Sequence, residues 1–327
     1  MRVRIATFNL ENLDDERGEK PSLEERIELM RPQLVRVDAD ILCLQEVNAQ
    51  ERDGKRGLFA LEELLADTEY SDFEMVSTTI QDGSKPFAER NLAVLSRFEI
   101  VSREQHKHDY APAPLYRMVT ASEPDEEGKD ITWERPILRA RVRVADDRTL
   151  DVINLHLKSK LPTDIEGQKK NPYTWKTASG WAEGFFVSSM KRVGQALETR
   201  MLIDELFEED EDALIVCCGD FNADLDEVPV QAIRGDVENT GNGDLSKRVM
   251  VPTENTIPES SRYSLFHMGR GEMIDHLLVS RSLLQHHRGS EIHNELLHDE
   301  SMGFATDKKY PESDHAPVIA EFEIEGA

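Results

Sequence analysis

Ten short runs rich in Val and Ile, at 2–8, 41–47, 73–80, 91–96, 135–144, 150–157, 213–219, 262–267, 274–280 and 316–324, limit what this chain can fold into. Each has the length of a strand. In the last, Val318, Ala320, Phe322 and Ile324 alternate with polar residues, so one face is buried. Helical patterns separate some of the runs. Ser22 and Glu25 form a capping box ahead of "LEERIELM". Residues 188–208 repeat apolar side chains near helical period at Val193, Leu197, Leu202 and Leu206. Other runs follow one another directly, as in 135–157, and predict antiparallel pairs. Strands mixed with helices throughout predict a layered α/β or α+β core. An acidic stretch at 121–130 and a polar one at 239–247 are too short for domain linkers. The expectation is one domain over 1–327 with long loops.

A net charge of -26 favours solubility and opposes broad attraction to nucleic acid or anionic membranes, although a local basic site would still hold phosphate. The cysteines, Cys43, Cys217 and Cys218, all sit inside apolar runs. That spacing gives neither a disulfide framework nor a zinc site. The N-terminus enters structure at once, and no apolar run approaches the ~18 residues of a membrane span. These features predict a cytoplasmic protein with no membrane partner.

Polar clusters recur where the runs end. "IATFNLEN" closes with Asn9, Glu11 and Asn12, and "ILCLQEV" with Gln45 and Glu46. "DVINLHLKS" carries Asn154 and His156, two apart and therefore on one strand face. "LIVCCGDFNAD" supplies Asp220, Asn222 and Asp224, "EMIDHLLVS" Asp275 and His276, and "ESDHAPV" Asp314 and His315. Singly, each reads as a turn or a strand-end charge. Asp275 is the exception: between Ile274 and Leu277, a carboxylate is costly without a partner. His276 points to the opposite face and reads as structural.

Together the clusters carry a chemistry. Asn, Glu and Asp oxygens are hard ligands suited to Mg²⁺ or Mn²⁺. Histidines transfer protons near neutral pH, and a carboxylate beside one fixes its tautomer. These are the parts of a phosphate-ester hydrolase. The phosphate loop G-x-x-x-x-G-K-[ST] and the nucleophile elbow G-x-S-x-G are both absent from the sequence.

The six segments "TFNLEN", "LQEV", "NLHLKS", "GDFNAD", "IDHLLVS" and "SDHAPV", running from Thr7 to Val318, resemble the endonuclease/exonuclease/phosphatase superfamily of DNase I-like phosphohydrolases. The resemblance implies a four-layer α/β/β/α sandwich, two mixed sheets flanked by helices, with the site where strand-end loops converge at one edge. It implies that His315 contacts the scissile phosphate or activates water and that Asp275 orients it. Glu46 is then the principal metal ligand, with Asn9, Glu11 and Asp314 beside it. Asp220 and Asn222 position nucleophile and phosphate. His156 matches a position proposed as general acid in some branches of the family. The division of acid and base between it and His315 stays open. In "ERNLAVLS", Arg90 and Asn91 are candidate phosphate contacts, and Asn154 is a candidate substrate contact. Asp275-His276 departs from the Asp-Arg pair of inositol polyphosphate phosphatases. The chain is also less basic than abasic-site nucleases usually are.

Residues 155–200 hold eight Lys and Arg against four acids, a net +4 in an acidic chain, with Tyr173, Trp175, Trp181, Phe185 and Phe186 interleaved. This insertion, at about 158–190, reads either as aromatics packing on the core or as a platform for unstacked bases. On the second reading Lys169 and Lys170 contact phosphate, and Trp175 and Trp181 stack. The whole predicts a divalent-metal-dependent phosphodiesterase or nuclease acting on nucleic acid. The alternatives are a phosphatase for a small phosphorylated metabolite or lipid headgroup, and a catalytically silent binding scaffold.

Overall fold

The computed structural model describes residues 1–324 except 17, 19, 124–126, 146–147 and 307–308, so the centre of the acidic 121–130 stretch lies outside the described residues. Twelve strands build two sheets: β1 (Arg2–Leu13), β2 (Ile41–Val47), β3 (Glu74–Ser77), β4 (Asn91–Ser96), β5 (Ile100–His106), β6 (Ile137–Ala145), β7 (Arg148–His156), β8 (Leu214–Asp220), β9 (Met250–Pro252), β10 (Asp275–Ser280), β11 (His287–Ile292) and β12 (Val318–Glu323). Their orders are β11-β12-β1-β2-β4-β3 and β9-β10-β8-β7-β6-β5. Each sheet is mixed: β1 and β2 are parallel, as are β7 and β8, while the other pairs are antiparallel.

The sheets pack face to face. Val3, Ile5, Ile41, Cys43 and Val94 of the first meet Leu138, Val152, Val216, Cys218 and Leu277 of the second in one apolar layer. Alternation along each strand sends the remaining apolar residues outward. Ala6, Phe8 and Leu42 meet α1 (Leu23–Val37) and α2 (Phe59–Leu65) on one side. Ile153, Leu155 and Ile215 meet α3 (Ala178–Glu209) on the other. This is the four-layer α/β/β/α sandwich. The Ser22–Glu25 capping box forms at the start of α1. The three cysteines are buried thiols.

Several elements differ from the sequence reading. β5 and β11 were not anticipated, because as edge strands they carry charged residues in place of an apolar alternation. The run at 262–267 is a strand only over Leu265–His267, in a hairpin with Arg270–Glu272. α3 begins ten residues before 188, capped by the Thr177 hydroxyl, which accepts a bond from the Gly180 amide at 2.9 Å. Gly180 and Gly184 obscured this first part. A Cβ at Gly184 would press on the Thr163 carbonyl and the Trp175 ring, so close packing excludes a better helix former there. Trp181, Phe185 and Phe186 therefore stand on a helix, not in a loop.

Candidate active site

β1, β2, β7 and β8 end, and β10 begins, at the same edge of the sandwich, and the loop before β12 closes over them. Regular pairing breaks there, between Asn9 and Leu13 on β1 and between Leu44 and Val47 where β2 meets β4. Glu11, Asn12, Glu46, Arg90 and Asn222 all adopt left-handed backbone, with φ of 46°, 50°, 57°, 56° and 47°. None is glycine, so each costs on the order of 1 kcal/mol or more, strain of the kind that collects at functional sites. Gly219 solves a different problem. It pairs with Leu155, and a Cβ there would collide with the Leu155 carbonyl.

The bends bring the polar side chains together. His315 Nδ1 lies 2.7 Å from Asp275 Oδ2, so its Nε2 faces the site. Asp220 Oδ2 is 3.9 Å from that Nε2 and 3.2 Å from His156 Nε2. The Asn9 amide donates to the same oxygen at 3.0 Å, and Asn222 donates to it at 3.1 Å. Glu46 Oε1 lies 3.6 Å from His156 Nε2, while its Oε2 accepts the Asn12 amide at 3.0 Å. Glu11 accepts the Asp314 amide at 3.1 Å, which ties the end of β1 to the loop carrying His315. Asp220, Asp275 and His315 each bring a ligating atom within 4.8 Å of the others.

Crowding and burial set the charges. Burial, reinforced by the Asp275 charge and opposed by His315, pushes Asp220 up to about 7. Burial and the neighbouring Asp314 push Glu11 up to about 8, and burial pushes Asp314 to about 6. Burial would lower His315, but Asp275 and Asp314 outweigh it and hold the imidazole protonated well above its usual range. His156 is driven the other way, well below its usual range, by burial and the adjacent Arg135. The site thus pairs one charged and one neutral imidazole across a single carboxylate.

The donor set fits a hard divalent cation. Oδ1 of Asp314 is buried with no hydrogen bond, 3.8 Å from His315 Nε2, and the Glu46 carboxylate lies close by with one oxygen uncommitted to any amide. Asn9, Glu11, Glu46 and Asp314 bring oxygen atoms to this edge beside the Asp220 and Asp275 carboxylates.

Four of the expected contacts lie elsewhere. Asn154 is fully buried between the sheets. It donates to the Leu44 and Ala93 carbonyls at 3.0 and 2.9 Å and accepts from Gln45 at 2.7 Å, so no polar atom remains for a substrate. Asn91, also fully buried, spends its amide on Val47, Phe87 and Thr78. Lys169 is held by Asp164 at 2.5 Å and by the Pro172 carbonyl, with the Trp175 ring 4.9 Å away. Trp175 packs on Ile131, Ile165 and Val187. Arg90 stands at the site and donates to Asn12 at 3.1 Å. Lys170 is exposed on the insertion. Trp181 is exposed on α3, its ring edge-on to Phe185 at 4.7 Å.

Two arginines at the site were missed. Arg135 is buried beneath it, donates to the His156 carbonyl at 3.4 Å and senses the charges of Glu46 and Asp220. Arg26 donates to the Leu10, Glu11 and Pro311 carbonyls at 2.7, 3.0 and 3.3 Å, fixing the loops that carry Glu11 and His315. A signal for Arg26 existed. It shares the buried face of α1 with Leu23, Met30 and Leu34, where an arginine must serve a buried polar surface.

Solved structures share this architecture. Truncated TDP2 from Caenorhabditis elegans superimposes with a TM-score of 0.57 at 16% identity, covering 98% of this chain and 97% of its own. An endonuclease/exonuclease/phosphatase family protein from Bacteroides thetaiotaomicron gives 0.59 at 18% identity, with 99% and 96% covered. The 3' phosphatase NExo from Neisseria, bound to product DNA hairpin, gives 0.53 at 19% identity, with 98% and 100% covered. No curated protein matches the chain closely enough to count as a relative. The model of the Endonuclease/Exonuclease/phosphatase family matches residues 6–315, nearly the whole length, and the chain belongs to that family.

Proposed function

We propose that the chain, acting as one domain in the cytoplasm, is a phosphohydrolase that depends on Mg²⁺ or Mn²⁺ and cleaves phosphodiester bonds, with nucleic acid as the preferred substrate. The observation that carries this reading is the His315–Asp275 pair at 2.7 Å, with Asp220 3.9 Å from His315 Nε2 and His156 and the Glu46 carboxylate next to it. TDP2 and NExo, which share the fold, lend it support through the DNA product bound to the latter.

Asp275 holds Nδ1–H of His315, so Nε2 presents its proton or lone pair to the phosphoryl group. A protonated Nε2 donates to a phosphate oxygen and neutralises charge gathering there. Asp220, fixed by the Asn222 amide at 2.8 Å, offers its second oxygen to an attacking water. Neutral His156 stands 3.2 Å from that oxygen and holds it in place. Arg90 and the buried Arg135 supply positive charge for the phosphate. A divalent ion held by Glu46, Asp314, Asn9 and Glu11 would polarise the phosphoryl oxygens.

The acidic surface supports a second reading, a phosphatase for a small phosphorylated metabolite. A substrate panel with Mg²⁺ or Mn²⁺ separates the two: single- and double-stranded DNA, RNA, bis-p-nitrophenyl phosphate and p-nitrophenyl phosphate. Cleavage of the polynucleotides and the diester, lost in EDTA, is the expected result. Cleavage of the monoester alone selects the phosphatase, and no turnover on any member rejects both.

A further inference from the structure

An open groove of about 710 Å³ runs away from His315, Asp314 and Asn222, between α3 and the 265–272 hairpin. Its size is that of a small-molecule site. Leu161, Phe185, Leu265, Met268 and Ile274 supply its walls, and Leu161 and Met268 are 68% and 73% exposed. Side chains so apolar, so exposed and so close to a catalytic cleft mark a place where a ligand completes the packing.

The charges differ between the two sides of the site. On the side of His156 stand Arg90, Arg135 and Lys158, close enough to depress its basicity. In the groove, among the described residues, the one lysine or arginine is Lys160, and Glu227 holds it at 2.7 Å. Glu272 and Glu300 also line the groove, and Glu300 is paired with His267 at 3.1 Å. A polyanion continuing along the groove meets carboxylates and no uncommitted cation.

We infer that the groove receives an uncharged, aromatic-ring-bearing group on the ester side of the scissile phosphate, with no second phosphate beyond it. This deepens the proposed function and rests on it. It makes the enzyme one that acts on terminal or small esters, not in the interior of a strand. The aromatic preference follows from the walls. Phe185, buttressed edge-on by Trp181 at 4.7 Å, and the Met268 thioether both reward a planar ring. The ring has two possible sources, an aryl ester or the base of a terminal nucleoside.

Calorimetric titration in Mg²⁺ tests this without turnover. Benzylphosphonate is expected to bind about tenfold or more tighter than methylphosphonate, as burying one ring implies. Met268→Asp and Leu161→Asp change exposed side chains, so folding persists, checked by thermal melting, and the ring's advantage should fall to about threefold or less. Thymidine 5'-phosphate against benzylphosphonate identifies the source of the ring. Thymidine 3',5'-bisphosphate should bind more weakly than the monophosphate. No advantage for the ring, equal affinity for cyclohexylmethylphosphonate, or tighter binding of the bisphosphate overturns the inference. Failure to hydrolyse any ester in the panel sinks the proposed function instead, while these affinities still report on the groove.

Discussion

Nδ1 of His315 and Oδ2 of Asp275 lie 2.7 Å apart, although 40 residues separate them in the chain and they belong to different sheets' ends. Asp275 is itself fully buried, and its amide is anchored by the Ser264 hydroxyl at 3.0 Å. A buried carboxylate fixed in this way is tolerable because it has an imidazole to pair with. The pair therefore decides which ring nitrogen faces the phosphate and how strongly that nitrogen holds a proton.

His315→Ala should lower kcat at least ~10²-fold, the scale for a positioned proton donor or acceptor. Asp275→Asn should also reduce kcat, because the amide can no longer favour the protonated ring. It should also shift the pH–rate profile, which a merely structural role would leave in place. Two folded variants with wild-type kinetics would remove both residues from the mechanism.

Glu46→Gln tests the metal centre. The substitution keeps the size of a side chain whose Oε2 accepts the Asn12 amide and removes the charge that a hard cation needs. Metal affinity, read by titration with Mn²⁺, should fall about tenfold or more, the scale seen for altered metal-site partners. Turnover on every substrate should fall with it. Unchanged Mn²⁺ affinity, or full activity of the wild type in excess EDTA, would count against this assignment.

Much of the fold was legible because the central strands are buried on both faces and must be rich in apolar side chains, as β2, β4 and β8 are. Edge strands β5 and β11 escaped because exposure frees them from that composition. The site was legible where polar residues interrupt apolar strands, as at Glu46, Asp220 and Asp275. Asn154 and Asn91 show the limit of that signal. A polar residue at a strand end marks either a ligand's partner or an unmet backbone group, and only the packed sheets tell which. Lys169 and Trp175 are engaged within the protein for a related reason. Composition counts cations and rings, but not the Asp164 carboxylate or the apolar cluster that consume them.

Behind the site, His276 is fully buried with both ring nitrogens bonded, Nδ1 to Glu254 at 2.7 Å and Nε2 to the Ala223 carbonyl at 2.8 Å. Asp275 adds negative charge, and the Phe221 ring stands edge-on at 5.1 Å. Burial alone would lower the imidazole, but Glu254 and the carbonyl overcome it and leave the pKa raised. A raised histidine contributes stability that is fully present below its unfolded pKa, about 6.5, and is lost as pH rises through the folded value. The stability gap between wild type and Glu254→Gln, from urea denaturation, should therefore be widest near and below about pH 6 and narrow as pH rises. A gap independent of pH would show that His276 does not change charge on folding.

Asn154 offers a sharper separation of brace from ligand. Its side chain crosses from β7 to the opposite sheet, where two carbonyls and Gln45 bond it directly. Asn154→Ala would leave those groups buried and short of partners, at a cost of roughly 1–3 kcal/mol. Asn154→Leu adds the burden of forcing a branched chain against carbonyl oxygens and should cost more. Both variants should melt earlier while keeping the wild-type KM, because the residue touches only protein. A substrate contact would show the reverse, with KM raised and the melting temperature unmoved, and that outcome would return Asn154 to the site.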